Sequence, residues 1–286
     1  MRLARITRNG APGLALAVSG GIRALFGGHA ALDLDELVQA GPDAIAAAGR
    51  AAAAAELVDP AELVFLPPFL RAPKFVCLGL NYRDHAAEGG FATPDFPAIF
   101  IRLRSSFIGH GAPIIRPPQS EQLDYEGELV AVLGKGGKNI SATDALGHVA
   151  GYSIFNDASI RDFQLQMPQW TVGKNFDSTG AFGPWFVTAD ELPPGAAGLR
   201  IETRLNGRTV QSASTADMIF DVANTIALLS TVMSLEAGDV LVMGTPSGVG
   251  FARKPPLFMK DGDTCEVEIE GIGLLRNPIR DGGAAA

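Results

Sequence analysis

Residues 1–27 alternate short apolar runs with glycine turns at Asn9-Gly10 and Gly20-Gly21, a pattern that predicts a small meander of strands. From Asp33 to about Ala55 the chain is acidic at its start and alanine-rich afterwards, which predicts helix. Gly41-Pro42 should divide that helix into two pieces. The prolines Pro67, Pro68 and Pro73 then mark a boundary near residue 70. Beyond it, the apolar run Lys74 to Gly79 and the segments 99–103, 126–133 and 239–243 read as strands. Arg200 to Gln211 alternates around Asn206-Gly207, the strongest short-range hairpin signal in the chain. Apolar residues at 219, 222, 226, 229 and 233 share one helical face, and residues 264–279 read as a closing hairpin. Strands dominate and helices are few, without regular strand–helix–strand alternation. The expected class is mainly β with some α, an α+β fold. Residues 1–70 should form a small N-terminal domain and 71–286 a larger one.

Composition narrows this picture. At 286 residues, with 47% hydrophobic and 19% charged residues, the chain can bury a large core. The net charge of −8 argues against nucleic acid as the main partner, although a local basic pocket could still hold a small anion. Two cysteines, Cys77 and Cys265, give neither a disulfide framework nor a zinc pattern. No secretory h-region follows Met1-Arg2-Leu3-Ala4-Arg5, and no uncharged apolar run approaches the roughly 18 residues a membrane span needs. A reducing cytoplasm is the expected location.

The chemistry concentrates in a few stretches. In "LDYEGELVAVLGK", Asp124, Glu126 and Glu128 stand on alternate positions, so in a strand they share a face. Like charges lined up before a strongly apolar tail are costly to bury unless something positive joins them. Either this strand end is exposed, or a cation sits there. In "GYSIFNDASIRDFQ", Asp157 ends another apolar run. Three hard oxygen ligands, Glu126, Glu128 and Asp157, suit Mg²⁺, Mn²⁺ or Ca²⁺. In "NYRDHAAE", His85 and Glu88 are three apart, so on a helical turn a carboxylate could raise the basicity of the imidazole. In "QWTVGKNFDSTGAFGPW", Lys174 lies among aromatic residues; a lone lysine is ordinarily solvated, but these flanks make that harder to accept. "VLVMGTPSGVG" fails as a phosphate loop, yet its backbone N–H groups and Thr245 could cradle a carboxylate. Arg102 and Arg104 fit a second substrate carboxylate and a solvated basic strand edge equally well.

These stretches in this order, from about residue 72 to 280, resemble the successive motifs of the fumarylacetoacetate hydrolase family. The first 70 residues resemble the small N-terminal domain of many bacterial members. The resemblance implies a mixed β-sandwich roll, usually a homodimer. It implies that Glu126, Glu128 and Asp157 hold Mg²⁺ or Mn²⁺, with Asp124 behind them or simply a strand-end charge. It implies a catalytic dyad of His85 and Glu88 on a lid segment, and Lys174 as the active-site lysine. Arg161, Gln164 and Thr245 match positions that contact the substrate's acid end, and Tyr82 joins them as a substrate contact. The activity expected from this is hydrolysis of a C–C bond in an acylpyruvate, such as fumarylpyruvate or maleylpyruvate, to pyruvate and an organic acid, in the breakdown of aromatics or sugar acids. The alternative keeps the site but changes the outcome to decarboxylation of oxaloacetate-like acids or tautomerisation of a hydroxymuconate-type 2-oxo acid. A catalytically silent ligand-binding protein is the third reading, against which the full set of ligands, dyad and lysine speaks.

Overall fold

A computed structural model describes residues 1–27, 32–84 and 95–283 of the chain. The N-terminal meander forms as expected: Arg2–Arg8, Ala11–Val18 and Gly21–Phe26 pair in antiparallel order. The acidic, alanine-rich stretch folds as two helices, Leu34–Ala40 and Pro42–Ala53. Asp33 caps the first by accepting from the N–H of Asp35. Gly41, at φ +96°, ends it and starts the second, whose Pro42 sits where no N–H is needed.

The meander is not a separate sheet. Arg2–Arg8 pairs with Phe186–Thr188, and the sheet runs on through Val149–Asp157, Gly127–Leu133, Val240–Val242 and Phe75–Gly79 to an edge at Ala98–Ile101. A second sheet of five strands packs against it, in the order Arg208–Ser214, Arg200–Leu205, Thr264–Ile269, Gly273–Asp281, Ile114–Arg116. Asn206 and Gly207, both at positive φ (52° and 75°), make the predicted two-residue turn.

The strand Gly127–Leu133 lies between two cores, and every residue in it is buried. Leu129, Ala131 and Leu133 face the five-stranded sheet with Ile201, Val267 and Ile269. Val130 and Val132 face the other way, towards Phe75, Phe155, Phe182 and the N-terminal helices. Burial on both faces is why this strand reads as a continuous apolar run. Glu128 has the parity of Val130 and Val132, so the carboxylates extend the end of the second core.

Candidate metal centre

Two strand ends bring the acids together. Gly127 pairs with Asn156 and Glu128 with Phe155, and the Asp157 N–H donates to the Glu126 carbonyl at 2.8 Å. The strand breaks just before this point, leaving Tyr125 and Glu126 between the short strand Leu123–Asp124 and Gly127–Leu133. The Asn156 side chain supports the break by accepting from the Glu126 N–H at 3.1 Å. Gly127 allows the crossing beneath, since a Cβ there would lie 2.3 Å from Thr203 Oγ1 and 2.9 Å from Val267 Cγ1. Glu126, Glu128 and Asp157 each offer one carboxylate oxygen, and these lie within 4.8 Å of one another.

Lys174 is buried, 1% exposed, at the end of the short helix Thr171–Lys174. Its ammonium bonds Glu126 Oε2 and lies 2.6 Å from Asp157 Oδ2. Burial alone would favour the neutral amine, but Asp157 and Glu126 outweigh it and hold Lys174 above its ordinary value. Arg161 lies 2.7 Å from Glu126 Oε1 and donates to Asp124 Oδ2 at 2.8 Å. Burial opposes its charge as well, and Glu126 and Asp124 more than compensate. Arg161 also donates to Gln164 Oε1 at 2.7 Å, which occupies the amide oxygen and turns the NH₂ end of Gln164 outwards as a donor.

The loop that fails as a phosphate cradle holds the protein's own carboxylates instead. The Gly244 N–H donates to Glu128 Oε2 at 2.6 Å, and the N–H groups of Gly250 and Phe251 donate to Asp124 at 2.7 and 3.0 Å. Gly250 is required there, since a Cβ would come 1.9 Å from the Leu257 carbonyl oxygen. Thr245 donates to the Gly127 carbonyl at 3.1 Å and accepts from Gln211 at 2.8 Å, fixing the backbone between the two glutamates.

Three cations, Arg102, Arg161 and Lys174, face four buried carboxylates, counting Asp124. Glu128 has no cation within ion-pair distance among the described residues. Burial, then the charges of Asp157 and Glu126, push its carboxyl well above the usual range. An all-oxygen donor set with unbalanced negative charge fits a hard divalent cation. Glu126 and Glu128 open into a small cleft. Glu126, Glu128, Arg161, Gln164, Lys174 and Thr245 line its polar side, and Leu80, Phe100, Leu165 and Trp170 line an apolar wall.

The structure thus brings together seven of the expected residues: Glu126, Glu128, Asp157, Arg161, Gln164, Lys174 and Thr245. Tyr82 does not line this cleft; it is buried in a crevice with Ser212, Asp217 and Ser247, where burial and then the charge of Glu128 raise the pKa of its hydroxyl, which has no hydrogen-bond partner among the described residues. His85 and Glu88 lie outside the described residues. The segment that leads to them is anchored by Asn81, which donates to the Phe220 and Met243 carbonyls and accepts from the Phe220 N–H. Sequence reasoning missed Asn81, Asn156 and Gln211, because an isolated amide in a sequence gives no sign of what it will bond.

A two-sheet roll carrying a carboxylate triad beside a buried lysine defines a class of fold with a candidate metal site, and the comparisons give the family. The family model described as fumarylacetoacetate (FAA) hydrolase C-terminal matches residues 74–280, and the chain belongs to the fumarylacetoacetate hydrolase family. The chain is 41% identical over 246 residues to oxaloacetate tautomerase Fahd2a, mitochondrial, of Rattus norvegicus, covering 85% of this chain and 78% of that protein. Among solved structures, fumarylacetoacetate hydrolase from psychrophilic Exiguobacterium antarcticum superimposes with a TM-score of 0.86 at 34% identity. The 2-hydroxyhepta-2,4-diene-1,7-dioate isomerase from Mycobacterium marinum does so with a TM-score of 0.75 at 33% identity. Each covers 99% of this chain and 100% of that one. The resemblance drawn from the motifs and the β-dominated α+β fold are both borne out.

Proposed function

We propose that this enzyme tautomerises a short 2-oxo diacid of the oxaloacetate type, moving a proton between carbon 3 and the 2-oxygen. The observation that carries the reading is the 41% identity, over 85% of the chain, to an oxaloacetate tautomerase. The main expectation from the sequence, acylpyruvate hydrolysis, therefore gives way to its alternative.

The site suits the simpler reaction. Glu126, Glu128 and Asp157 would hold a divalent cation, which supplies Lewis-acid stabilisation of negative charge on the 2-oxygen. Lys174 spends two of its three N–H groups on Glu126 and Asp157 and keeps one for that oxygen. The Gln164 amide NH₂, aimed by Arg161, receives a substrate carboxylate. We assign proton transfer at carbon 3 to His85 and Glu88, on their match to the family dyad. Keto and enol forms differ only in where one proton sits, so no bond between heavy atoms has to break.

One observation favours a second reading. The apolar wall of Phe100, Leu165 and Trp170 could receive an acyl chain, and a hydrolase of this family superimposes along the whole chain. The test follows the ultraviolet absorbance of enol-oxaloacetate, with Mg²⁺ and with EDTA. Pyruvate release from acetylpyruvate and fumarylpyruvate is measured in parallel. Accelerated enol decay that EDTA abolishes, without pyruvate, is expected. Pyruvate from an acylpyruvate, with enol decay at the uncatalysed rate, would overturn the tautomerase in favour of the hydrolase.

A further inference from the structure

The apolar wall of the cleft holds one large side chain that is backed by main chain. Trp170 caps the short helix Thr171–Lys174, four residues before Lys174, so the two side chains share one face of that turn. The Phe100 ring touches both, 4.9 Å from the Lys174 ammonium and 5.8 Å from the indole in edge contact. Behind the indole lies Gly79, the last residue of Phe75–Gly79, where a Cβ would come 2.0 Å from Cζ3 and 2.8 Å from Cη2. The ring therefore rests on backbone, with no side chain at Gly79 to move aside for it. The turn that carries it is fastened as well. Asn175 donates to the Thr171 carbonyl at 2.8 Å and the Ile101 carbonyl at 3.1 Å, and accepts from the Leu103 N–H at 2.6 Å. Gly173 packs on Gln164, where a Cβ would lie 2.4 Å from the backbone nitrogen. Leu165, the neighbouring wall residue, is by contrast 58% exposed.

We propose that Trp170 sets the length of substrate the cleft accepts, admitting a four-carbon 2-oxo diacid and stopping its longer, vinylogous homologues. The inference rests on the tautomerase reading above and names which member of that substrate class the site takes. The 2-oxo acid end occupies the polar side of the cleft, so added carbons run along the apolar wall of Phe100 and Trp170. Two added carbons meet an indole that the Gly79 backbone keeps from retreating. The carboxylate at their end would be pressed against aromatic carbon and lose water without gaining a partner. A fixed wall of this kind selects by what it excludes, not by what it binds. Gly79 acts through Trp170 as a positioning residue, since only glycine leaves the indole its seat.

The test measures kcat/KM by ultraviolet absorbance for enol-oxaloacetate and for 2-hydroxymuconate, a six-carbon enol of the same type. Full-length wild type is compared with Trp170→Ala, Trp170→Phe, Gly79→Ala and the Gly79→Ala/Trp170→Ala double variant. Thermal unfolding and circular dichroism serve as the folding control. Wild type should prefer the four-carbon acid. Trp170→Ala should raise the six-carbon to four-carbon ratio about tenfold or more, in the range that small changes of pocket size produce, and Trp170→Phe by a smaller factor. Gly79→Ala drives the indole into the cleft and should lower kcat/KM for both acids. Adding Trp170→Ala should restore it, a coupling that two independent packing residues do not show. Should Trp170→Ala not fold, Trp170→Phe carries the test. A wild-type ratio in the folded Trp170 variants, or wild type that takes both acids equally, would overturn the proposal. Wild-type protein that accelerates neither reaction would instead refute the tautomerase reading on which it rests.

Discussion

Lys174 shows how a side chain usually left in solvent comes to be held inside a cluster of carboxylates. Its ammonium is held by Glu126 and Asp157, and its ring neighbour Phe100 lies 4.9 Å away. Lys174→Met keeps the length and removes the donor. Turnover should fall by about 10²–10³, the usual loss when one donor to a developing oxyanion is removed. Divalent-cation affinity should hold or rise, because Glu126 and Asp157 lose a competing cation. Initial rates and calorimetry on the same preparation check this, and a parallel fall in both would show that the lysine only builds the metal site. Glu128 makes the complementary case. Its carboxyl is raised by burial and by its acidic neighbours, so in metal-free protein the folded state holds a proton that the unfolded chain has released. Its contribution is therefore fully present below the ordinary glutamate range and lost as pH rises through the raised folded value. Urea midpoints of EDTA-treated protein should fall with rising pH across that window, and Glu128→Gln should flatten the trend. A wild-type slope unchanged in Glu128→Gln would locate the trend elsewhere. At this scale the sequence was informative about the acids and the lysine, since charge beside apolar runs is costly and therefore conspicuous. For Arg102 it offered only a substrate carboxylate or solvent, whereas the side chain is buried against Asp157; a guanidinium on a strand edge reads the same whether it faces solvent or a buried carboxylate.

The strand Gly127–Leu133 is the element on which the site depends, and Gly127 is its weakest point. A methyl group there would meet Thr203 and Val267 of the five-stranded sheet, so Gly127→Ala must push the strand away from that sheet or displace those side chains. Overpacking of this kind costs about 1–3 kcal/mol. Because Glu126 and Glu128 flank the glycine, the same displacement should spread the triad and weaken Mg²⁺ binding. Urea denaturation and calorimetry of Gly127→Ala are expected to show both losses; a destabilised variant with wild-type metal affinity would mean that the strand end moves independently of the sheet below. Elements whose signals are local were legible in the sequence. The Asn206-Gly207 turn sets its own φ values, and the helix Val222–Val232 follows its apolar stripe from an N-cap at Asp221. The stripe from 219 to 233 overstated its length, since the helix starts only after its cap at Asp221 and ends before Met233. Pairing between distant strands was not legible. Nothing in Phe75–Gly79 states that it will lie parallel to Val240–Val242, because that choice is made by which faces bury together.

For the whole molecule, the proline cluster near residue 70 marks a turn in the chain and not an end to the sheet. Leu3 pairs with Phe186, and the Met1 carbonyl accepts from the Thr188 N–H at 2.9 Å. Leu3, Leu34 and Phe69 share a core with Val130, Val132 and Phe186, with Phe69 and Phe186 in edge-to-face contact at 5.3 Å. Asp35 accepts from the N–H groups of Leu70 and Arg71 at 3.2 and 3.1 Å, which ties the boundary segment back to the first helix. That core is the one whose end carries Glu128 and Asp157, so the N-terminal residues support the carboxylate triad from behind. Removing residues 1–70 would bare the edge of Phe186–Thr188 and one face of Val130 and Val132, an unpaired strand beside exposed apolar surface. A fragment of residues 71–286 should therefore aggregate or unfold when expressed alone, and should regain solubility and Mg²⁺ binding when residues 1–70 are co-expressed. Size-exclusion chromatography and calorimetry decide the matter: a soluble fragment with wild-type thermal stability and metal affinity would show that residues 71–286 fold as an independent domain.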